Sequence, residues 1–135
     1  MVRLAHLLTG SALAAEDLVQ DAFVRLHPVI DRVDNAGAYL QRTVVNLCRS
    51  HHRRRGVERR WLDRQSSPAP ELPPDLDETW QALATLSPAQ RHALVLRFYL
   101  DLRLEDVADL LDVPVGTVKS TVHRGLAALG KEIEP

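Results

Sequence analysis

The sharpest chemical suggestion in this sequence lies in a short run of polar side chains: Thr117, Lys119, Ser120, His123 and Arg124. An ammonium, a guanidinium, two hydroxyls and an imidazole within about two helical turns can hydrogen-bond the phosphates and base edges of duplex DNA. Lys119 and Arg124 suit guanine edges or phosphates, and Ser120 can donate or accept. Thr117 sits where the amides of a helix N-terminus suit a phosphate. Pro114 and Val115, just ahead of them, are placed to touch a thymine methyl. All of these lie within Leu104–Gly130, LEDVADLLDVPVGTVKSTVHRGLAALG, which reads as two short amphipathic helices joined by a tight turn. That is how a helix-turn-helix presents a recognition helix to the major groove.

The elements that must position these groups follow from apolar spacing. Leu104, Val107, Ala108, Leu110 and Leu111 recur at helical steps, and Pro114 is tolerated in the first turn of a following helix. Val118, Val122, Leu126 and Leu129 predict the buried stripe of that second helix, with the polar residues largely off it. Pattern alone also fits an ordinary helical hairpin, so both readings stand at this point.

A second chemical cluster is basic. Arg42, Arg49, Arg53, Arg54, Arg55, Arg59, Arg60 and Arg64 crowd one stretch with His51 and His52, although the whole chain carries a formal net charge of only −1. Acidic residues gather elsewhere, at Glu16, Asp17 and Asp21 and again over Glu71–Glu78. One strongly positive region is therefore expected despite the neutral total, and such a region attracts nucleic acid. Cys48, His51 and His52 have a spacing that invites zinc, but a second cysteine and a supporting fourth ligand are lacking. Cys48 reads better as a small buried hydrophobe, and a lone cysteine cannot form an internal disulfide, which fits a reducing cytoplasm. The sequence offers no phosphate loop, no Ser/His/Asp grouping and no carboxylate pair placed for acid–base work. The expectation is a protein that is not an enzyme, with no cofactor, no metal and no small-molecule substrate.

The 135 residues suffice for one domain or two very small ones. Long 3.6-period stretches and no convincing two-residue alternation predict an all-α chain. No apolar run approaches the roughly 20 residues that span a bilayer, so membrane insertion is not expected. Val2–Thr9 reads as a helix broken by Gly10. Ser11 can cap a second helix through Leu26, with Ala12, Ala15, Leu18, Val19, Ala22, Phe23 and Leu26 as its apolar face. Asp34 or Asn35 can cap a long third helix containing Tyr39, Leu40, Val44, Leu47 and Cys48. Four prolines and two serines in Gln65–Asp75 cannot continue a helix and read as a linker. A new helix starts near Leu76 with Trp80, Leu83 and Leu86. Ser87-Pro88-Ala89-Gln90 then signals another, with Ser87 as cap and Gln90 able to complete a capping box. The predicted organisation is residues 1–64 as one small helical domain, 65–74 as a Pro-rich linker and 75–135 as a second. The second ends in the helix-turn-helix, winged-helix-like but without a wing.

Taken together, AEDLVQDAFVRL (Ala15–Leu26), AYLQRTVVNLCRSHHRRR (Ala38–Arg55) and LSPAQRHALVLRFYLDLRLEDVADLLDVPVGTVKSTVHRGLAALG (Leu86–Gly130) resemble a bacterial sigma factor of the extracytoplasmic-function group. The resemblance runs in order along almost the whole chain, and the pair EDLVQDAF and VPVGTVKS is its specific part. It implies a first domain, like sigma region 2, that binds core RNA polymerase and melts the promoter −10 element. It implies a second domain, like region 4, that binds the −35 element as duplex, and a linker running between the two.

By the same resemblance, Asp17, Gln20 and Asp21 match the polymerase-contacting helix. Tyr39, Arg42, Asn46, Arg49, Arg53, Arg54 and Arg55 match the part that reads the −10 element. Tyr39 either packs into the core or stacks on an unpaired base, Asn46 can pair with a base edge, and the arginines meet phosphates. Pro114, Val115, Thr117, Lys119, Ser120, His123 and Arg124 fall on the −35 reader. The implied partners are core RNA polymerase, promoter DNA and an anti-sigma factor, and the implied location is the cytoplasm.

The sequence departs from the family in three places. The first helix is only about two turns long where relatives have more, so the expectation is a clipped domain or a true start upstream. Asp112 stands where relatives usually have glycine in the turn, and Arg103 stands where they often have a serine or threonine cap. Two other functions fit the same residues. One is a stand-alone helix-turn-helix regulator binding as a dimer, and the other is a truncated sigma-like module that binds an anti-sigma factor.

Overall fold

The computed structural model describes residues 1–61 and 77–133, and the side chains within 1–54 and 81–130. The expected linker lies outside the described residues. Among those described, the chain is helical with no strand, and it divides into two compact units, Met1–Leu72 and Pro73–Pro135.

In the first unit, α1 spans Val2–Thr9 and ends at Gly10, whose φ of 75° lets the chain turn while its amide donates to the His6 carbonyl. Helix α2 follows at Ala12–Leu26, capped by the Ser11 hydroxyl, which accepts from the Ala14 amide at 3.2 Å. A 3₁₀ segment, His27–Arg32, carries Pro28 in its first turn. Of the two candidate caps for the next helix, Asn35 is the one used: its Oδ1 accepts from the Ala38 amide at 3.0 Å. Helix α3 then runs over Ala36–Trp61. Helices α1, α2 and α3 all pack on one another, burying Leu4, Leu8, Ala15, Leu18, Val19, Ala22, Val44, Val45 and Cys48. The His52 ring bonds the Leu8 carbonyl and so ties the C-terminal end of α1 to α3.

In the second unit, α4 spans Asp77–Ala84 and α5 spans Pro88–Leu94, the latter capped by Ser87 through the Gln90 amide at 3.2 Å. Helix α5 continues into a π turn, Val95–Tyr99, in which the Leu100 amide reaches back to the Val95 carbonyl at 3.2 Å. Asp101, at φ 54°, then reverses the chain. Arg97 braces this corner by donating to the Leu102 carbonyl at 3.3 Å, with Asp101 Oδ1 3.7 Å away. Helices α6 (Leu104–Leu111) and α7 (Val115–Ile133) complete the unit. Helix α7 packs against α4, α5 and α6. The core is Leu83, Leu86, Ala93, Leu94, Val95, Leu96, Val107, Leu110, Leu111, Val118 and Val122.

Two burial expectations are corrected. Phe23, expected on the apolar face of α2, is 53% exposed. Its position lies about 100° from Ala22 on the wheel, just past the edge of the buried arc. Leu126, expected in the buried stripe of α7, is 46% exposed. Gly125 takes the inward place: a Cβ there would lie 3.0 Å from Leu94 Cδ1 and 3.2 Å from Leu94 Cγ. A glycine at the helix–helix contact lets α5 come so close that the seam shifts by one residue.

Candidate nucleic-acid interface

The turn before α7 is made by Asp112, which sits in the left-handed region at φ 55° and ψ 48°. Its amide and that of Val113 return to carbonyls in the last turn of α6, the Val113 bond to Ala108 measuring 3.1 Å. This is the position where the resemblance anticipated a glycine, and aspartate is among the few residues that tolerate it. Arg103, at the start of α6, makes no side-chain cap bond and instead pairs with Asp106 at 3.3 Å. The acids of the first turn, Glu105 and Asp106, favour the helix N-terminus in place of the missing cap.

Helix α7 turns Val118, Val122 and Gly125 inward, and the residues opposite are exposed: Gly116, Thr117, Lys119, Ser120, His123 and Arg124. At 100° per residue, Lys119 and Arg124 lie about 140° apart and flank the outer face on its two sides. Between them lie Gly116, Ser120, His123 and Ala127, small side chains apart from the His123 imidazole. The Ser120 hydroxyl donates to the Gly116 carbonyl at 3.0 Å, so it lies along the helix rather than standing off it. Pro114 and Val115 are exposed at the entry to the same face.

Helix α3 carries the second set. Tyr39, Arg42, Asn46, Arg49 and Arg53 follow steps of three and four and fall within about 80° of one another. They form one stripe about 21 Å long on the side away from Val44 and Cys48. Arg42, Asn46 and Arg53 are exposed, and Tyr39 and Arg49 are half-buried. Tyr39 therefore neither fills the core nor stands clear of it. Arg54 is exposed but sits about 100° round from Arg53, off the stripe. The Arg55 side chain lies outside the described residues. Arg53 Nη2 donates to the Ser50 hydroxyl at 3.2 Å, which steadies the last basic group of the stripe.

The third set is on α2. Asp17 and Gln20 are exposed, while Asp21 is half-buried and accepts from Arg25 Nε at 3.3 Å. Two large aliphatic residues share this face. Leu13 and Val24 are 72% and 69% exposed. With Asp17 and Gln20 they complete one row, Leu13–Asp17–Gln20–Val24, opposite the buried arc. The signal was in the sequence: two large aliphatics fall on the outer wheel positions of a helix whose inner positions are already filled.

Burial pushes the Cys48 thiol up to about 12, so at neutral pH it is a protonated hydrophobe and offers no thiolate. Burial also lowers the Arg91 guanidinium from its ordinary value. No described helix is long and apolar enough to cross a membrane.

Comparison with known proteins places these surfaces in a family. The chain matches the family models described as Sigma-70 region 2 over residues 1–58 and Sigma-70, region 4 over residues 76–129. It is 33% identical to the RNA polymerase sigma-E factor of Streptomyces avermitilis, over 99% of this chain and 79% of that protein. It is 30% identical to the ECF RNA polymerase sigma factor SigW of Bacillus subtilis, over 97% of this chain and 81% of that one. Its fold is similar to the sigma factor RpoE from Bartonella quintana, solved in complex with the anti-sigma factor NepR. The TM-score is 0.82 at 28% identity, covering 99% of this chain and 91% of that one. The chain thus belongs to the sigma-70 family as an RNA polymerase sigma factor of the extracytoplasmic-function group, a protein that directs promoter-specific transcription initiation.

Proposed function

We propose that the three surfaces divide the work of initiation. The outer face of α7, with Pro114, Val115, Thr117, Lys119, Ser120, His123 and Arg124, reads the −35 element in the major groove. The stripe on α3, with Tyr39, Arg42, Asn46, Arg49 and Arg53, engages the −10 element, and Arg54 and Arg55 add phosphate contacts. The row on α2, with Asp17, Gln20 and Asp21, meets core RNA polymerase. Residues 1–64 act as the region 2 domain, 65–74 as the linker and 75–135 as the region 4 domain.

The observation that carries this reading is the register of α7. Its buried arc is satisfied within the unit, so every polar residue of the outer face is left to solvent, although none of them stabilises the core. In such a division the arginines of α3 supply affinity and salt dependence, while Lys119, Ser120 and Arg124 supply sequence choice, with the two cations also meeting phosphates. By its likeness to a sigma factor solved with an anti-sigma factor, we assign this chain an anti-sigma partner. It acts in the cytoplasm, without catalytic chemistry of its own.

Run-off transcription tests the proposal. Purified chain is added to core polymerase with a panel of promoter templates. Core-dependent transcripts from a subset of templates are expected, and absence of any core binding by the chain would overturn the proposal.

A further inference from the structure

Glycine on a helix needs a reason, because alanine is intrinsically preferred there. The glycines here differ in what they show. Gly10 turns the chain at positive φ. Gly125 admits Leu94. Gly37, beside the Asn35 cap, would place a Cβ 3.5 Å from Asn35 Oδ1, in ordinary contact. At Gly116, as at Gly130, a Cβ would meet nothing within 4 Å, but only Gly116 lies between Lys119 and Arg124 near the start of α7. Nothing inside the molecule calls for a missing side chain at that point. Gly116 is the second residue of α7 and lies on the centre line of its outer face, about 60° from Lys119 and 80° from Arg124. Its carbonyl is already taken by Ser120, which holds that hydroxyl low against the helix.

We infer that Gly116 is the point of closest approach between α7 and the DNA: the missing side chain lets the duplex come against the helix backbone. Lys119 and Arg124, splayed to either side, then reach their partners at the correct depth. This rests on the reading of α7 as the −35 face. Gly116 is a positioning residue, contributing no hydrogen-bonding side chain of its own. A methyl at residue 116 holds the helix away and lengthens every contact that the flanking residues make.

Gly130 serves as the internal control. It too has nothing within 4 Å of a Cβ, but it lies about 21 Å further along the same helix. The probe is a duplex enriched by wild-type chain, bound to core polymerase, from a randomised pool. Binding of that duplex is then measured for the same holoenzyme carrying Gly116→Ala, Gly116→Leu, Gly130→Ala, Lys119→Ala or Arg124→Ala.

Gly116→Ala is expected to weaken binding by about tenfold, the size of one lost bidentate base contact, and Gly116→Leu by more. Gly130→Ala should bind as wild type. Neither alanine should lower the thermal midpoint, which separates the effect from misfolding. The slope of affinity against salt should stay unchanged for Gly116→Ala, whereas Lys119→Ala should flatten it by about 0.9 per lost phosphate contact. Wild-type binding by Gly116→Ala beside impaired Lys119→Ala would overturn this inference and leave the reading of α7 standing. Wild-type binding by all of these variants, or a pool that enriches nothing, would overturn both.

Discussion

Replacing Asp112 by glycine, alanine and asparagine in turn separates two costs built into the turn between α6 and α7. The backbone at Asp112 is left-handed, at φ 55° and ψ 48°, and its side chain is exposed, so substitution removes no packing. Alanine in this conformation is disfavoured by about 1–2 kcal/mol, and glycine escapes that penalty but loses about 0.5–1 kcal/mol more backbone entropy on folding. Glycine should therefore exceed alanine by about 0.5–1 kcal/mol, with aspartate between them. Charge supplies the second cost. A carboxylate at the C-terminal end of α6 opposes the helix dipole by about 0.3–1 kcal/mol at low salt. Asparagine keeps the tolerance for left-handed backbone and removes that charge, so it should gain about that amount.

Hydrogen exchange of the α6 and α7 amides in the full chain reads these differences, because 1 kcal/mol changes protection about fivefold. The expected order of protection is glycine above aspartate above alanine. The gap between asparagine and aspartate should shrink in 1 M salt while the gap between glycine and alanine persists. Protection that is lower for glycine than for alanine would refute the backbone argument, and a charge gap insensitive to salt would refute the dipole argument.

Other substitutions test the remaining surfaces. Leu13→Ser with Val24→Ser should leave stability within about 0.5 kcal/mol, because both side chains are exposed, yet weaken core polymerase binding measured by fluorescence anisotropy; unchanged affinity would remove them from the docking row. Asp17→Ala with Gln20→Ala should lower polymerase affinity, while Lys119→Ala or Arg124→Ala should lower promoter use with core binding intact; identical behaviour of all four would contradict the division of labour. Gly125→Val should destabilise the second unit by about 1–3 kcal/mol in calorimetry, because its side chain must displace buried Leu94; a neutral result would mean that α5 and α7 can part cheaply. Cys48 should resist iodoacetamide at pH 8 in the native chain and react readily in urea. Its folded value is raised to about 12, so this group's contribution to stability is complete below the ordinary thiol value and falls as pH rises towards 12.

Punctuation made much of the fold legible in advance. Gly10, Ser11, Asn35, Ser87 and Pro88 each act locally, through a cap or a fixed φ, so their effect can be read without tertiary knowledge. The all-α class followed from the same helical periodicity. The failures came where two helices meet. Leu126 was assigned to the core because its spacing fits, but the spacing cannot say that a glycine one residue earlier draws the neighbouring helix onto a different line. Phe23 failed for a related reason: size and apolarity mark a residue as able to be buried, while three-helix packing leaves each helix only one covered arc. The outer row on α2 was half legible. Its acids and amide stand out by resemblance, whereas Leu13 and Val24 do not, because large aliphatics ordinarily mark a buried face.

The close seam at Gly125 has a consequence for how such a protein diversifies. Because α7 is held against α5 on its inner side, where Leu94 packs over Gly125, the outer residues of α7 do not hold the domain together. Exposed substitutions of that kind typically move stability by less than about 0.5 kcal/mol. The side chains at residues 119, 120, 123 and 124 can therefore be exchanged almost independently of folding, so this face is free to vary on a constant scaffold.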